Sequence, residues 1–202
     1  MITRHQERKL RIYIAIDVIT KSFQKLLELK IAPNDLMKKT NEIKDFLNKD
    51  QLLIFKSEQY HRFDISLIYE IFQNLGEYIS LDGPTTRWEN TSMLKKKHTT
   101  TSDDLKRIIL YRNKYYHEAA EEEITEAKLE EVKNDLIEIS KRIQDRTSPF
   151  FIGVNYIEQI EDVFTTDSNR LENIETRLTQ LEQGRKRKHE EDWRTQPIKK
   201  VM

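Results

Sequence analysis

Hydrophobic positions recur at helical spacing along most of the chain. The spacing predicts a long helix over residues 7–29, a shorter helix capped by Asn34 and continuing to Leu47, and an apolar helix over residues 64–79. Residues 51–55 have the composition of a strand, but no partner strand is indicated, so a short helix or packed loop is predicted there. Only four glycines and four prolines interrupt these patterns, which favours an all-α fold.

The most regular repeat lies in the second half of the chain. Its apolar residues are spaced alternately three and four apart, which makes a narrow stripe suited to packing in a helical bundle. Ser148 and Pro149 follow the repeat, so the predicted bundle domain covers residues 1–147. The positions of the repeat are Leu129, Val132, Leu136, Ile139 and Ile143.

The rest of the chain differs in composition. Residues 148–184 read as a linker and a heptad-bearing helix, either a short coiled coil or a helix that docks onto the bundle. Residues 185–202 hold too few apolar side chains to fold alone and are predicted to be a disordered basic tail. The heptad positions are Ile157, Ile160, Phe164, Leu171, Ile174, Leu178 and Leu181.

Charge and targeting patterns limit the function classes. The chain has 35 basic and 35 acidic side chains, so any contact with nucleic acid must come from a local patch. Residues 1–6 are polar and no long uncharged apolar run follows, which predicts no signal peptide and no membrane span. A cytoplasmic protein is expected. Basic clusters at residues 185–188 and 199–200 have the spacing of a bipartite nuclear import signal, so a nuclear protein is the alternative.

Metal and disulfide chemistry are not indicated. The chain has no cysteine, which excludes a disulfide framework and a thiolate zinc site. Its histidines and carboxylates show no spacing typical of metal ligands, and no nucleotide-binding glycine pattern is present. We therefore expect neither a metal nor a cofactor.

Residues 105–117 break the helical pattern with polar side chains that indicate a binding or catalytic site. Leu105 and Ile108 begin an apolar stripe, and its next turn holds Arg112 instead of an aliphatic residue. A guanidinium on such a stripe is costly unless it is paired or faces a ligand phosphate. Asn113 follows, and His117 lies four residues beyond it on the same helical face. A strong donor beside a group that titrates near neutral pH suits metal-free phosphate chemistry.

The Arg-Asn-x-x-x-His sequence of residues 112–117 resembles the signature of the HEPN superfamily. The segments around it are similar to one subgroup, the HEPN domain of a DAZ-interacting, RNA-binding ubiquitin ligase and of many invertebrate proteins. The resemblance covers residues 8–145 and implies a HEPN-type helical bundle. The relative's RING domain is rich in cysteine, and this chain has none, so ligase activity is not implied. The flanking segments are residues 63–75, Pro84, Trp88 and residues 102–108.

The resemblance implies a protein that binds or acts on single-stranded RNA. Its expected activity is that of a metal-independent endoribonuclease, with a catalytic cleft shared by two protomers of a homodimer. In that role Arg112 stabilises charge that builds on the phosphate, His117 is the general acid–base, and Asn113 orients the histidine or the phosphate. Lys114 then contacts the RNA backbone and Tyr116 stacks on a base.

The alternative is a non-catalytic interaction module. The bundle and the heptad helix then mediate self-association or recruit a signalling protein in innate-immune or stress signalling. Under this interpretation Arg112 is a structural cation that pairs with a carboxylate such as Asp64 or Glu70. Lys114 is then simply solvated, and Tyr116 packs at the rim of the core.

Overall fold

The structure is a computed structural model that describes residues 3–89, 93–117, 123–147, 155–167, 170, 171 and 173. Over these ranges the chain is helical and contains no strand, which confirms the all-α prediction. The helices are α1 (Arg4–Lys30), α2 (Pro33–Met37), α3 (Thr40–Ile43), α4 (Lys49–Lys56), α5 (Ile65–Leu75), α6 (Thr101–Arg112), α7 (Glu126–Thr147) and α8 (Tyr156–Thr165).

Helix α1 is the central element of the bundle and packs against α5, α6, α7 and α8. It begins with a capping box in which Gln6 N–H donates to the Thr3 hydroxyl at 3.2 Å and the Gln6 side chain accepts from Thr3 N–H. Phe23 on its core face meets Phe72 of α5 edge to face, with ring centroids 6.0 Å apart. Each large apolar side chain buried in this way contributes about 1.5–3 kcal/mol to stability.

Helix α7 is built on the most regular repeat of the sequence. All five apolar positions of that repeat are buried, and four of them have no exposed surface. This stripe packs against α1. The prediction of a bundle helix over this segment is confirmed.

The chain continues to pack against the bundle after residue 147. Helix α8 lies on α1 and α7, and its Ile160 is fully buried in the common core. Arg11 of α1 donates at 2.6 Å to the carbonyls of Val163 and Thr166, which satisfies acceptors at the end of α8. Of the two sequence-based alternatives for this segment, α8 corresponds to docking. Ile174, Leu178, Leu181 and the tail at residues 185–202 lie outside the described residues.

The segment between α1 and α5 differs from its prediction. The single helix capped by Asn34 is wrong, because α2 begins at Pro33 after Ala32 and a separate α3 and 3-10 turn follow. Proline suits a first helical turn because its φ is already fixed near the helical value. Phe46 is 58% exposed and therefore stays out of the core. Residues 51–55 fall within α4.

Helix α5 ends earlier than its apolar pattern predicts. Asp64 caps it by accepting from Leu67 N–H at 2.8 Å, and the helix ends at Leu75 rather than at residue 79. Turns replace the helix from Gly76, and Ser80 adopts a positive φ of 52°. In the ranges that the structure describes, no helix is long and apolar enough to cross a membrane.

Candidate functional site

The helix that carries the candidate site is held at its start by a capping box. Asp103 N–H donates to the Thr100 hydroxyl at 3.1 Å, and Thr100 N–H donates back to the Asp103 carboxylate at 3.3 Å. Both residue pairs 100/103 and 101/104 have the spacing of this motif. The capping box is that of residues 100 and 103, because Asp104 is engaged by arginines instead.

Residues 82–88 are fastened to the first turn of α6 by polar contacts. The Thr85 amide and hydroxyl donate to the buried Asp103 carboxylate at 2.9 and 2.5 Å. Ser102 Oγ donates to the Asp82 carbonyl at 2.7 Å. Burial alone would raise the pKa of Asp103, but the hydrogen bonds from Thr85 and Thr100 outweigh it and lower that pKa.

A buried lysine makes the second fastening. Lys106 has no exposed surface, and its ammonium donates to the Thr86 hydroxyl at 2.7 Å and the Arg87 carbonyl at 2.8 Å. Burial lowers the pKa of this lysine. The adjacent Trp88 packs edge to face on Tyr69 of α5, with centroids 5.1 Å apart. Ser102, Asp103 and Lys106 therefore attach the preceding loop to α6.

Two tyrosines of the motif region pack between α6 and α7. The Tyr111 hydroxyl donates to the Asp135 carboxylate at 2.5 Å, and burial together with this bond raises the pKa of Tyr111. Its ring stacks on that of Tyr115, which is only 6% exposed, with centroids 6.2 Å apart. Both rings therefore hold the end of α6 in place.

The backbone changes its geometry directly after Arg112. Residues Asn113–His117 form one π-helical turn, in which hydrogen bonds join residues five apart. In an α-helix of about 3.6 residues per turn, positions 112 and 117 would lie about 140° apart around the axis. A π-turn holds more residues than an α-turn, so the backbone at 117 comes closer to the side of the helix that holds 112 than it would in an α-helix. The sequence-based assignment of a continuous α-helical face did not include this turn.

The Arg112 side chain lies beside the start of α5. Its Nη2 is 4.0 Å from the Asp64 carboxylate, a long separation for an ion pair. The side chains are 23% and 58% exposed, so the pair is open to solvent. Asn113 is exposed. Asp64, one of the two carboxylates predicted as structural partners, is in contact with Arg112.

Lys114 points to a different side of the helix from Arg112. Its ammonium lies 5.6 Å from the centroid of the Tyr115 ring. The pKa of Glu131 on α7 is lowered mainly by its hydrogen bond from Lys128, with a further contribution from Lys114. Arg112 thus faces α5, whereas Lys114 faces α7. The side chains of the other two predicted site residues, Tyr116 and His117, lie outside the described residues.

A charged cluster between α6 and α7 was missed by the sequence reasoning. Asp104 is fully buried and accepts two hydrogen bonds from Arg142, at 2.7 and 2.9 Å. Arg107 donates to the same carboxylate at 2.9 Å and Arg146 at 3.4 Å. We call these four residues the Asp104 cluster. In the sequence the cluster is visible only as two pairs of charged residues. Asp104 and Arg107 are three residues apart on α6, and Arg142 and Arg146 are four residues apart on α7.

No set of three histidine or carboxylate side chains within the described ranges could hold a metal ion. A sequence model of the family described as DZIP3/hRUL138-like HEPN matches residues 21–148, more than half of the chain. The match includes α5, α6, the π-turn and α7. No curated protein and no solved structure matches the chain.

Proposed function

We propose that this chain, which belongs to the DZIP3/hRUL138-like HEPN family, binds single-stranded RNA and cleaves it without a metal ion. The observation that carries the proposal is the π-turn after Arg112. With the backbone of residue 117 brought toward the side of the helix that holds residue 112, a guanidinium and an imidazole are able to serve one phosphate. In an unbroken α-helix the same two residues would diverge.

The proposed reaction is an internal transfer at phosphorus. The ribose 2′-oxygen attacks the adjacent phosphorus while the bond to the 5′-oxygen breaks, leaving a 2′,3′-cyclic phosphate and a 5′-hydroxyl. One proton leaves the 2′-hydroxyl and one is gained by the 5′-oxygen. His117 carries out one of these two transfers, because an imidazole titrates near neutral pH. The need for a 2′-hydroxyl restricts the substrate to RNA.

Arg112 supplies the positive charge. Its contact with Asp64 is worth at most about 1 kcal/mol, whereas a phosphate offers the guanidinium a bidentate contact. Donors aimed at the oxygens on which charge builds lower the barrier most, and removing one costs about 10²–10³ in rate. Asn113 orients the histidine or the phosphate. Lys114 and Tyr116 add backbone and base contacts beside the reacting group.

The proposal includes an assembly and a location. Two protomers present their π-turns to each other, so that the cleft is completed in a homodimer. The chain acts in the cytoplasm, or in the nucleus if the basic clusters at residues 185–188 and 199–200 act as an import signal. Those clusters lie outside the described residues.

The test is cleavage of single-stranded RNA in excess chelator. We expect wild-type protein to cleave, and Arg112→Ala and His117→Ala each to slow cleavage by about 10²-fold or more. Arg62→Ala and His61→Ala are controls of the same residue types, because both residues are exposed and neither belongs to α6 or the π-turn. A 2′-deoxy substrate should resist cleavage. If the Arg112 and His117 variants cleave as fast as wild type, the mechanism is wrong.

One observation favours a second function, an interaction module that self-associates or recruits a signalling protein. The contact of Arg112 with Asp64 is what a structural cation between α5 and α6 would make. This function predicts no cleavage by wild-type protein in chelator. It also predicts that Arg112→Ala weakens self-association, measured by sedimentation, rather than RNA turnover.

A further inference from the structure

The Asp104 cluster holds more positive charge than its structural task requires. A buried carboxylate is stable only when it is paired, and the bidentate contact from Arg142 already neutralises it. Burial raises the pKa of Asp104, and the guanidiniums oppose that rise. A carboxylate that accepts this many guanidinium hydrogen bonds is ionised. Arg107 and Arg146 therefore leave two positive charges in excess.

The excess charge reaches the surface. The side chains of Arg142 and Arg146 are 26% and 29% exposed, while that of Asp104 is fully enclosed. Among the described residues, neither arginine has a second carboxylate within ion-pair distance. Glu138 and Asp135 of α7 also act on Arg142 through space, and Glu138 has its ion pair with Lys141 at 2.8 Å. An anion arriving from solvent would meet two oriented guanidiniums whose like charges repel each other when it is absent.

Two arginines of the cluster, Arg107 and Arg146, also hold a lysine-rich loop. Arg107 Nη2 donates to the Lys95 carbonyl at 2.6 Å and also to the His98 carbonyl. Arg146 donates to the Thr99 carbonyl. The side chains of residues 95–97, all lysines, are exposed. Arginines that bind one buried carboxylate thus also hold the backbone of a loop that carries three exposed lysines.

Basic side chains, with acidic ones between them, also lie along the seam between α6 and α7 toward the π-turn. Tyr111 lies closer to the C-terminal end of α6 than the Asp104 cluster does, and its hydroxyl donates a hydrogen bond to Asp135. Beyond it, Lys96 and Lys114 both act on Glu131, in addition to its main partner Lys128. Positions 104 and 112 are separated by about 12 Å along the helix. One polynucleotide chain can therefore touch both ends of this seam.

We propose that the Asp104 cluster and the three lysines of residues 95–97 form a binding site for the phosphodiester backbone of RNA, separate from Arg112 and His117. Oriented guanidiniums bind phosphate bidentately, and exposed lysines add charge along the strand. The choice of RNA as the polyanion rests on the proposed function, whereas the site rests on the arrangement of charge. Asp104 is a positioning residue, because it touches the arginines and not the ligand.

The test is binding of a fluorescent 2′-O-methyl single-stranded RNA to the 202-residue chain, measured by anisotropy at several salt concentrations. This RNA lacks the free 2′-hydroxyl, so binding is measured without cleavage. The test variant carries Lys95→Gln, Lys96→Gln and Lys97→Gln. Its control carries Lys44→Gln, Lys49→Gln and Lys56→Gln, three exposed lysines of the α3–α4 region with the same change in net charge. Arg146→Gln is compared with Arg62→Gln in the same way.

We expect the lysine test variant to bind about tenfold more weakly than its control. The slope of log affinity against log salt should fall by about 0.7 for each phosphate that the variant no longer neutralises. Arg146→Gln should lower the slope by about one such step, and Arg62→Gln should not change it. Circular dichroism should show the same melting temperature for the two lysine variants, because all six side chains are exposed.

Three results would overturn the site. The first is no measurable binding by wild-type protein, and the second is equal affinity and slope for the test and control variants. The third is displacement of RNA by a polyglutamate peptide of equal charge at the same concentration, which would indicate an acidic protein as the ligand. Failure of this binding site can be distinguished from failure of the catalytic proposal, because cleavage by His117→Ala is measured separately. Loss of cleavage in that variant with normal binding by the lysine variant removes only this site.

Discussion

The guanidinium of Arg112 lies 4.0 Å from the carboxylate of Asp64, and the same carboxylate caps α5 by accepting from Leu67 N–H. One side chain thus begins a helix and faces the cation of the candidate site. Because Asp64 is exposed and the two groups are 4.0 Å apart, solvent screens their attraction, which is worth at most about 1 kcal/mol. The cap contributes about as much, so the two roles of Asp64 can be separated by substitution.

Asp64→Asn should keep the cap and remove the charge, because asparagine is as good an N-cap as aspartate. We expect its free energy of unfolding to change by less than about 1 kcal/mol and RNA cleavage to persist. Asp64→Ala, which also removes the cap, should lose about 1 kcal/mol more. Urea unfolding and the chelator assay measure both. A loss of several kcal/mol in Asp64→Asn and equally in Arg112→Ala would instead identify Arg112 as structural.

Asp104→Asn should be the most damaging single change of charge among the substitutions considered. The buried carboxylate holds arginines from both α6 and α7, and removing one partner of a buried pair typically costs about 3–5 kcal/mol. Urea unfolding of the variant at neutral pH measures the loss. Asp17→Asn is the control, because Asp17 pairs with Lys21 on the exposed face of α1 and should cost less than about 1 kcal/mol. A similar loss in both variants would contradict the role assigned to Asp104.

The sequence predicted the helices whose core contacts repeat regularly. The stripe from Leu129 to Ile143 is buried as expected, since a repeat of three and four places every apolar residue on one face. Local signals were less decisive where two choices fit equally. Thr100 and Thr101 both begin a possible capping box. The box of Thr100 forms, because arginines of α7 bind Asp104. Such a contact across 38 residues leaves no trace in local spacing.

The candidate site was predicted by residue type but not by geometry. The aliphatic stripe identified Arg112 as an exception, and the structure has it at the edge of the core beside Asp64. The π-turn was not predictable from hydrophobic periodicity. One extra residue in a single turn changes the spacing of the apolar side chains only slightly. Lys114 was grouped with Arg112 from its position in sequence, yet the two face different helices.

The lowered pKa of Asp103 makes part of the stability depend on pH. Above the ordinary value of 3.8 the carboxylate is ionised in both the folded and unfolded states, and its hydrogen bonds contribute fully. As the pH falls below 3.8, the unfolded state takes up the proton first, so stability is lost toward the lower folded pKa. Thr85→Val removes one donor and should cost about 1 kcal/mol at pH 7.

The comparison is made by urea unfolding between pH 7 and pH 3. Thr85→Val should lose less stability than wild type on acidification, because less of its stability depends on ionised Asp103. Thr85→Ser keeps the hydroxyl and should follow the wild-type curve. Parallel curves for wild type and Thr85→Val would show that this hydrogen bond does not set the pKa of Asp103.

Docking of α8 makes it part of the cooperative unit. Ile160 is fully buried against the bundle, and truncating such a side chain leaves a cavity that costs about 2–5 kcal/mol. Ile160→Ala should therefore lower the free energy of unfolding by that amount in a single transition, at every protein concentration tested. Glu161→Ala, at an exposed position of the same helix, should change it by less than about 0.5 kcal/mol. If the loss in Ile160→Ala appeared only at concentrations where the chain self-associates, α8 would be stabilised by a second copy rather than by its own bundle.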